Sequence, residues 1–307
     1  MKKIFYIFMF FYGTLLFSQT KKQAYEDKQV KAEYHLKNGL MDGKYISHYP
    51  NGKKKAEGNF KDNLRVGKWD VWDSTGKLHA DHIFKSDSLI KNKDGYVNYT
   101  YLKEADVAIW SRIWRNVYKE NNPLLFGTAS LFDTLYSYIQ RDSLIIYKDE
   151  EYTTQKSKED IKTTFSSDKY EIVAYKFKED WFFDKKINAT EIRVLGIYPV
   201  LRPKNSENEE NMGLGWIYFP QARKLLASQK LWDKHYPNIT NLDEMFWYRH
   251  YASQIFKENN VYDRPISSYS KTPGEALLEA ERIEIGMIES EHNIWLYGDQ
   301  LFFHPPK

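Results

Sequence analysis

Gly43-Lys44-Tyr45 and, twenty-four residues on, Gly67-Lys68-Trp69 open two copies of one short pattern, each closed nine residues later by Gly52-Lys53 and Gly76-Lys77. Set in register from about Ala32 to Phe84, the chain stacks Ala32, Ala56 and Ala80; Glu33, Glu57 and Asp81; and Leu36, Phe60 and Phe84, without a gap. Asn38 then falls on Asp62 and Leu40 on Leu64. Self-similarity at such a period marks a repeat architecture in which neighbouring units cover each other's apolar face. Within one unit, Tyr45, Ile46 and Tyr49 are bounded by Asn51-Gly52, residues that accept the positive φ of a tight turn, so the pattern predicts a β-hairpin. Ser74-Thr75-Gly76 should turn likewise. Gly43, Gly52, Gly67 and Gly76 are the expected turn glycines, and so small a sheet should lean on the rest of the chain.

Beyond the repeats the pattern changes. From Tyr96 to Tyr147 it predicts helices, one opened by Ala105-Asp106-Val107-Ala108-Ile109-Trp110, an interruption at Pro123, and a second from Ser130 to Ile139. Lys148 to Lys169 is polar and reads as a linker or long loop. Tyr170–Lys178, Trp181–Phe183, Ile192–Leu201 and Gly215–Phe219 are rich in branched and aromatic residues and predict strands, with an exposed loop over Pro203–Asn211. Asp243 opens a run in which Met245, Phe246, Tyr248 or Arg249, and Ala252 or Ile255 recur at helical steps. A second helix should start at Pro273, with Leu277, Ala280, Ile283, Met287 and Ile294 along its apolar side. Strands clustered mid-chain and flanked by helices make the fold α+β: an N-terminal antiparallel β-hairpin repeat followed by a mixed α+β domain. The divisions expected are 1–18, 19–95 and 96–307, with 148–169 as a spacer inside the last.

Residues 1–18 place Lys2 and Lys3 before the apolar stretch Ile4–Phe17, which is the layout of a cleavable secretory signal ending near Ser18. The stretch is shorter than the roughly 20 residues a bilayer-spanning helix needs. Of 307 residues, 45 are Lys or Arg and 42 are Asp or Glu. The net charge of +3 falls to +1 without Lys2 and Lys3, which disfavours nucleic acid as a partner. The chain has no cysteine, which excludes disulfides, a thiol nucleophile, cysteine-bound metals and lipid attachment at a lipoprotein cysteine. A protein of this kind held at a membrane is held there by a partner. Its 24 Tyr, 18 Phe and 9 Trp favour a folded, contact-rich chain over disorder.

Chemistry finds little footing. No Gly-x-Ser-x-Gly elbow occurs, and Ser and Thr stand in no recognisable nucleophile setting. Glu289 and His292 are three apart on the expected last helix, as in carboxylate-bridged di-iron bundles, but a second such pair is missing, so His292 reads as a surface or interface histidine. Gly213-Leu214-Gly215 is too short to cradle a phosphate and reads as a turn. Lys53-Lys54-Lys55, flanked by Glu57 and Asp62, reads as a solvated hairpin face, with a membrane-surface patch as the weaker option. The three Asn-x-Thr triplets at Asn98, Asn188 and Asn238 match a glycosylation acceptor, which matters only in a secretory pathway that carries the transferase. No catalytic residue, cofactor site or metal ligand is assigned. The aromatic set Trp247, Tyr248, Tyr251, Phe256 and Tyr262 suits core and interface alike.

Two resemblances add to this reading. Gly-Lys-aromatic, a turn glycine and then Ala-Glu or Ala-Asp is similar to the MORN-repeat variant of YwqK-like antitoxins, which implies a docking platform. The second rests on several segments in order: Ala105 to Arg115, Trp181-Phe182-Phe183-Asp184, Gly215 to Pro220, Asp243 to Tyr251, Phe256 to Arg264 and Glu275 to Ile283. Together they resemble the GldN/PorN family of the type IX secretion and gliding motility apparatus of Bacteroidetes. That resemblance implies a non-enzymatic periplasmic component. It would assemble in a ring with a GldK/PorK-like outer-membrane lipoprotein and contact a GldM/PorM-like protein, with no membrane span of its own once the signal is removed. It also singles out Trp247, Tyr248, Arg249, Tyr251, Lys257, Glu258, Asn259, Tyr262, Asp263 and Arg264 as a candidate interaction surface. A hairpin-repeat module is not part of the family pattern, which leaves open a divergent periplasmic adaptor without a secretion role and, more remotely, a hydrolase.

Overall fold

The computed structural model describes residues 18–84, 90–127, 130–141, 143–166, 168–204, 210–231 and 239–298; the expected secretory signal lies outside them except for Ser18, and most of the expected loop 203–211 does too. Six strands open the described chain: β1 (Ser18–Ala24), β2 (Val30–Lys37), β3 (Leu40–His48), β4 (Lys54–Lys61), β5 (Leu64–Trp72) and β6 (Leu78–Phe84), paired antiparallel in chain order. The period of the sequence is the period of the register. Gln19 faces Leu36, Gly43 faces Phe60 and Gly67 faces Phe84. The repeat therefore reaches one strand further upstream than the sequence shows, to β1, where Gln19 stands in the glycine's place.

Gly52, at φ +79°, closes the turn in which Tyr49 N donates to Lys53 O at 2.8 Å, and Gly76, at φ +90°, closes its copy between Asp73 and Lys77. Gly43 and Gly67 do not make turns: they lie inside β3 and β5. The hairpins at that end are turned instead by Asn38-Gly39 and Asp62-Asn63, all four with positive φ, the combination a two-residue turn requires. Alternate residues point to one side, so Tyr34, Tyr45, Phe60, Trp69 and Val71 are buried while the other face carries a ladder of Lys and Glu or Asp pairs such as Lys44–Glu57 and Lys68–Asp70.

The rest of the chain holds β7 (Val107–Tyr118), α1 (Pro123–Phe126), α2 (Leu131–Gln140), β8 (Ile146–Tyr147), α3 (Lys158–Thr164), β9 (Tyr170–Asp184), β10 (Ala189–Pro203), β11 (Met212–Gly213), β12 (Trp216–Tyr218), α4 (Phe219–Ser228), α5 (Leu242–Trp247), β13 (Gln254–Glu258) and α6 (Pro273–Tyr297). The second sheet runs β13-β7-β9-β10-β12-β8, with β11 also on β10. The fold is α+β as expected, with two corrections. Val107–Tyr118 is a strand, not a helix: Trp110, Ile113, Trp114 and Val117 mimic helical spacing because a strand packed on both faces carries apolar residues of either parity. The helix begun at Asp243 stops at Trp247, and Ile255 belongs to β13. Arg249, at φ +51°, turns the chain between them.

The helix starts expected at Ser130 and Pro273 are observed. Ser130 caps α2 by accepting from Asp133 N at 3.1 Å, and Asp133 returns the bond, a capping box. Thr272 caps α6 by accepting from Glu275 N at 3.1 Å, while the Glu275 carboxylate accepts from Lys271 N, so no reciprocal box forms. The two strands read at 170–178 and 181–183 are one strand of 15 residues, β9. Within the polar stretch 148–169, Asp149 pins a loop by accepting from Thr153 N and Thr154 N, and α3 buries Ile161 against α2 and the sheet. One face of the second sheet carries two apolar clusters side by side: Val117, Tyr175 and Phe177 against α1, α2, α4 and α5, and Ile113, Trp181 and Ile255 against α6.

Candidate interaction surface

The last helix joins the two sheets. Ala280, Ile283 and Met287 pack on the second sheet, whereas Ile285, Ile288 and Trp295 pack on Tyr34, Tyr45, Phe60 and Trp69 of the first. Ion pairs reinforce both contacts. Lys21 and Lys31 of the hairpin sheet bind Glu281 and Glu289, each at 2.9 Å. Glu291, fully buried, pairs with Arg65 of β5 and accepts from Thr190 N of β10 at 2.8 Å, so one carboxylate ties helix and both sheets together. Asn63, in a hairpin turn, donates to Arg249 O at 2.9 Å and Tyr251 O at 3.3 Å. Between these ties lies an open cleft of about 980 Å³, lined by Met41 and Phe60 on one side and Trp181, Trp247 and Met287 on the other.

The ten residues expected to form an interaction surface fall into separate settings. Trp247 and Tyr248 are half-buried on the cleft wall, with Trp247 ring to ring against Tyr99 at 5.3 Å. Arg249 and Tyr251 are internal: both bind Glu179 Oε1, at 3.1 and 2.7 Å. Glu179 also accepts from Arg115 Nε at 2.9 Å, and Arg115 reaches Glu284 of α6 at 2.6 Å. Burial pushes the Glu179 carboxyl upward, but Arg249 and Arg115 outweigh it and hold the group below its ordinary range. Burial raises the Tyr251 hydroxyl well above its usual value. Tyr251 is a core residue and shows nothing to a partner.

Lys257 lies over the Trp114 ring at 4.2 Å and pairs with Asp263 at 2.7 Å, while burial raises the Glu258 carboxyl. Asn259 continues the pairing of β13 with β7, exchanging bonds with Arg112. The chain then leaves the sheet. Asn260 accepts from Tyr262 N and Arg264 N and donates to Glu258 O and Arg264 O, fixing a loop on which Val261 is 97% and Tyr262 75% exposed. Asp263 and Arg264 are exposed beside them, Arg264 stacked on Tyr262 and Tyr269.

Sequence reasoning missed the buried pair Arg115 and Glu179 and its partly exposed partner Glu284. Its signal was present in Trp114-Arg115 and Lys178-Glu179-Asp180, charges set inside otherwise apolar strands. His292, expected at the surface or at an interface, is fully buried where α6 meets the hairpin sheet, and Lys55 of the basic run turns inward over Tyr49. No group of three or more metal-ligating side chains occurs among the described residues, nor is any described helix long and apolar enough to cross a membrane.

A mixed α+β body whose final helix clamps a hairpin-repeat sheet is the class of molecule this geometry defines. Residues 102–296 match the family model described as gliding motility associated protein GldN, from just before β7 to almost the end of α6. The chain belongs to the GldN family and is thereby a component of the gliding motility and type IX secretion machinery. No curated protein matches it. The six hairpin strands lie outside the family match.

Proposed function

We propose that this protein is a non-enzymatic structural component of the periplasm, made of a hairpin module over residues 19–95 and a GldN domain over 96–307. In this reading it assembles with copies of itself and a GldK/PorK-like outer-membrane lipoprotein into a ring, and contacts a GldM/PorM-like protein. The family match over residues 102–296 carries the proposal. The pinned loop with exposed Val261 and Tyr262 supports it, because aromatic residues held rigid at a surface lose little entropy on binding. The candidate interaction surface reduces to Tyr262, Asp263 and Arg264 at the tip, with Lys257, Glu258 and Asn259 as its base and Trp247 and Tyr248 at the cleft. The hairpin sheet outside the match favours one addition to the family role: a docking module in the manner of MORN-like repeats.

The test is recovery of the tagged protein from native envelopes in mild detergent, with mass spectrometry of what accompanies it and a measurement of particle size. GldK- and GldM-like proteins in a particle far larger than a monomer are expected. A free monomer without them overturns the assembly role and leaves a divergent adaptor.

A further inference from the structure

Where α6 meets the hairpin sheet, His292 is 0% exposed and neither ring nitrogen has a hydrogen-bond partner. Its ring is enclosed by aromatic neighbours, with centroids 5.4 Å from Trp69, 5.4 Å from Trp295 and 6.0 Å from Tyr45. A buried polar group left without a partner costs about 1–3 kcal/mol, and an ionised one far more. An apolar ring would fill this place without that cost, so the histidine destabilises the joint it occupies.

The surroundings do not accommodate a proton. Arg65 from β5 and Lys55 from β4 bring positive charge toward the ring. Tyr45 and Ser47 of β3 are neutral, as is Tyr34 of β2, and Lys31 of β2 is engaged with Glu289. His82 of β6 stacks flat on Trp295 at 5.1 Å. On α6 itself, Glu289 is held by Lys31, and Glu291 by Arg65 and Thr190 N. Neither carboxylate is a hydrogen-bond partner of the imidazole.

We propose that this joint is an acid-labile latch: it holds the hairpin sheet on α6 while His292 is neutral, and acidification releases it because only the opened joint can take up the proton. Burial, followed by the charges of Arg65 and Lys55, holds His292 well below its ordinary value of 6.5 in the closed joint. Once opened, the ring returns to that ordinary value. The stabilisation is thus complete above pH 6.5 and falls as pH drops below it, in proportion to the proton gained on opening.

The experiment is hydrogen–deuterium exchange of the whole protein at pH 7.5 and pH 5.5, corrected for intrinsic exchange, followed in peptides from β3 to β5 and from α6. One proton gained by a group of pKa 6.5 makes opening about tenfold more frequent across that interval. His292→Leu should cut the change to less than twofold, and His82→Phe should keep most of it. Should His292→Leu fail to fold, the imidazole resonances of the unaltered protein decide: His292 is expected to stay neutral until the joint opens. Equal pH response in the wild type and His292→Leu overturns the latch, and so does titration of His292 near 6.5 in the closed joint.

Discussion

Arg115 on β7 donates to Glu179 on β9 at 2.9 Å with both side chains shut from solvent, and the pair sits on the line where the two apolar clusters of one sheet face meet. The register puts Ile113 opposite Glu179 and Phe177 opposite Arg115, so the two are diagonal neighbours on adjacent strands. Apolar side chains alone would let the clusters slide across each other. A charge-assisted pair joined by Arg249, Tyr251 and Glu284 admits one arrangement of β7, β9, the turn after α5, and α6.

Breaking this set from one side leaves a buried charge uncompensated. Arg115→Met should lower unfolding free energy by about 3–5 kcal/mol, the usual cost of removing one partner of a buried pair. Urea unfolding followed by tryptophan fluorescence checks it. A loss below 1 kcal/mol would mean that Glu179 is satisfied by Arg249 and Tyr251 alone.

The same group sets an acid limit. Glu179 lies below its ordinary value of 4.5 in the folded chain, so it contributes stability that is present above pH 4.5 and lost as pH falls through its lower folded value. Glu179→Gln should be less stable at pH 7 and show a shallower loss between pH 4.5 and pH 3, read from thermal midpoints at half-unit steps.

Gly58 on β4 is a packing glycine. A Cβ there would meet the Trp69 ring at 2.1 Å, and Trp69 is fully buried. Gly58→Ala should cost about 1–3 kcal/mol through overpacking. Gly67→Ala meets nothing within 4 Å and suffers only from its φ of +66°, a loss of about 1 kcal/mol. Thermal melts of the two variants rank the effects.

Asn63 ties the hairpin sheet to the second half through Arg249 O and Tyr251 O and also accepts from Met41 N at 2.8 Å. Asn63→Gly keeps the positive φ but removes all three bonds, with an expected loss of about 1–3 kcal/mol. Limited proteolysis should then cut first near the hairpin turns rather than within α6.

Tyr262 is 75% exposed and its ring is stacked by Arg264 of its own loop, so Tyr262→Ala should leave the melting curve unchanged, within about 0.5 kcal/mol. If the loop docks a partner, recovery of accompanying proteins from native envelopes falls severalfold. An unchanged recovery would remove this loop from the interface.

Much of the fold was legible because its signals are local. The period of 24 marked the hairpin sheet, although Gly43 and Gly67 lie inside its strands and not at its turns, and Ser130 and Pro273 marked the starts of two helices. What failed was parity. Trp110, Ile113, Trp114 and Val117 satisfy a helical template, yet β7 is packed on both faces, burying Ile113 and Val117 on one and Trp114 on the other while Trp110 stays half exposed. The sequence near Arg249 offered no glycine to stop the helix, and the stop comes from tertiary bonds to Glu179. Buried Arg115, Glu179 and His292 were invisible for a related reason: a charge in sequence does not say which neighbour, 64 or 169 residues away as for the partners of Arg115, removes it from water.

The clamping of the first sheet by the last helix imposes an order of arrival. A polypeptide emerges from its N-terminus, so β1 to β6 exist for some 200 residues of elongation before Ile285, Ile288 and Trp295 are available to cover Tyr45, Phe60 and Trp69. Throughout that interval the inner face of the hairpins is bare aromatic surface. The molecule thus has a built-in delay: its earliest-made part stays open to chaperones, and to misplaced pairing with neighbours, until its final helix is made.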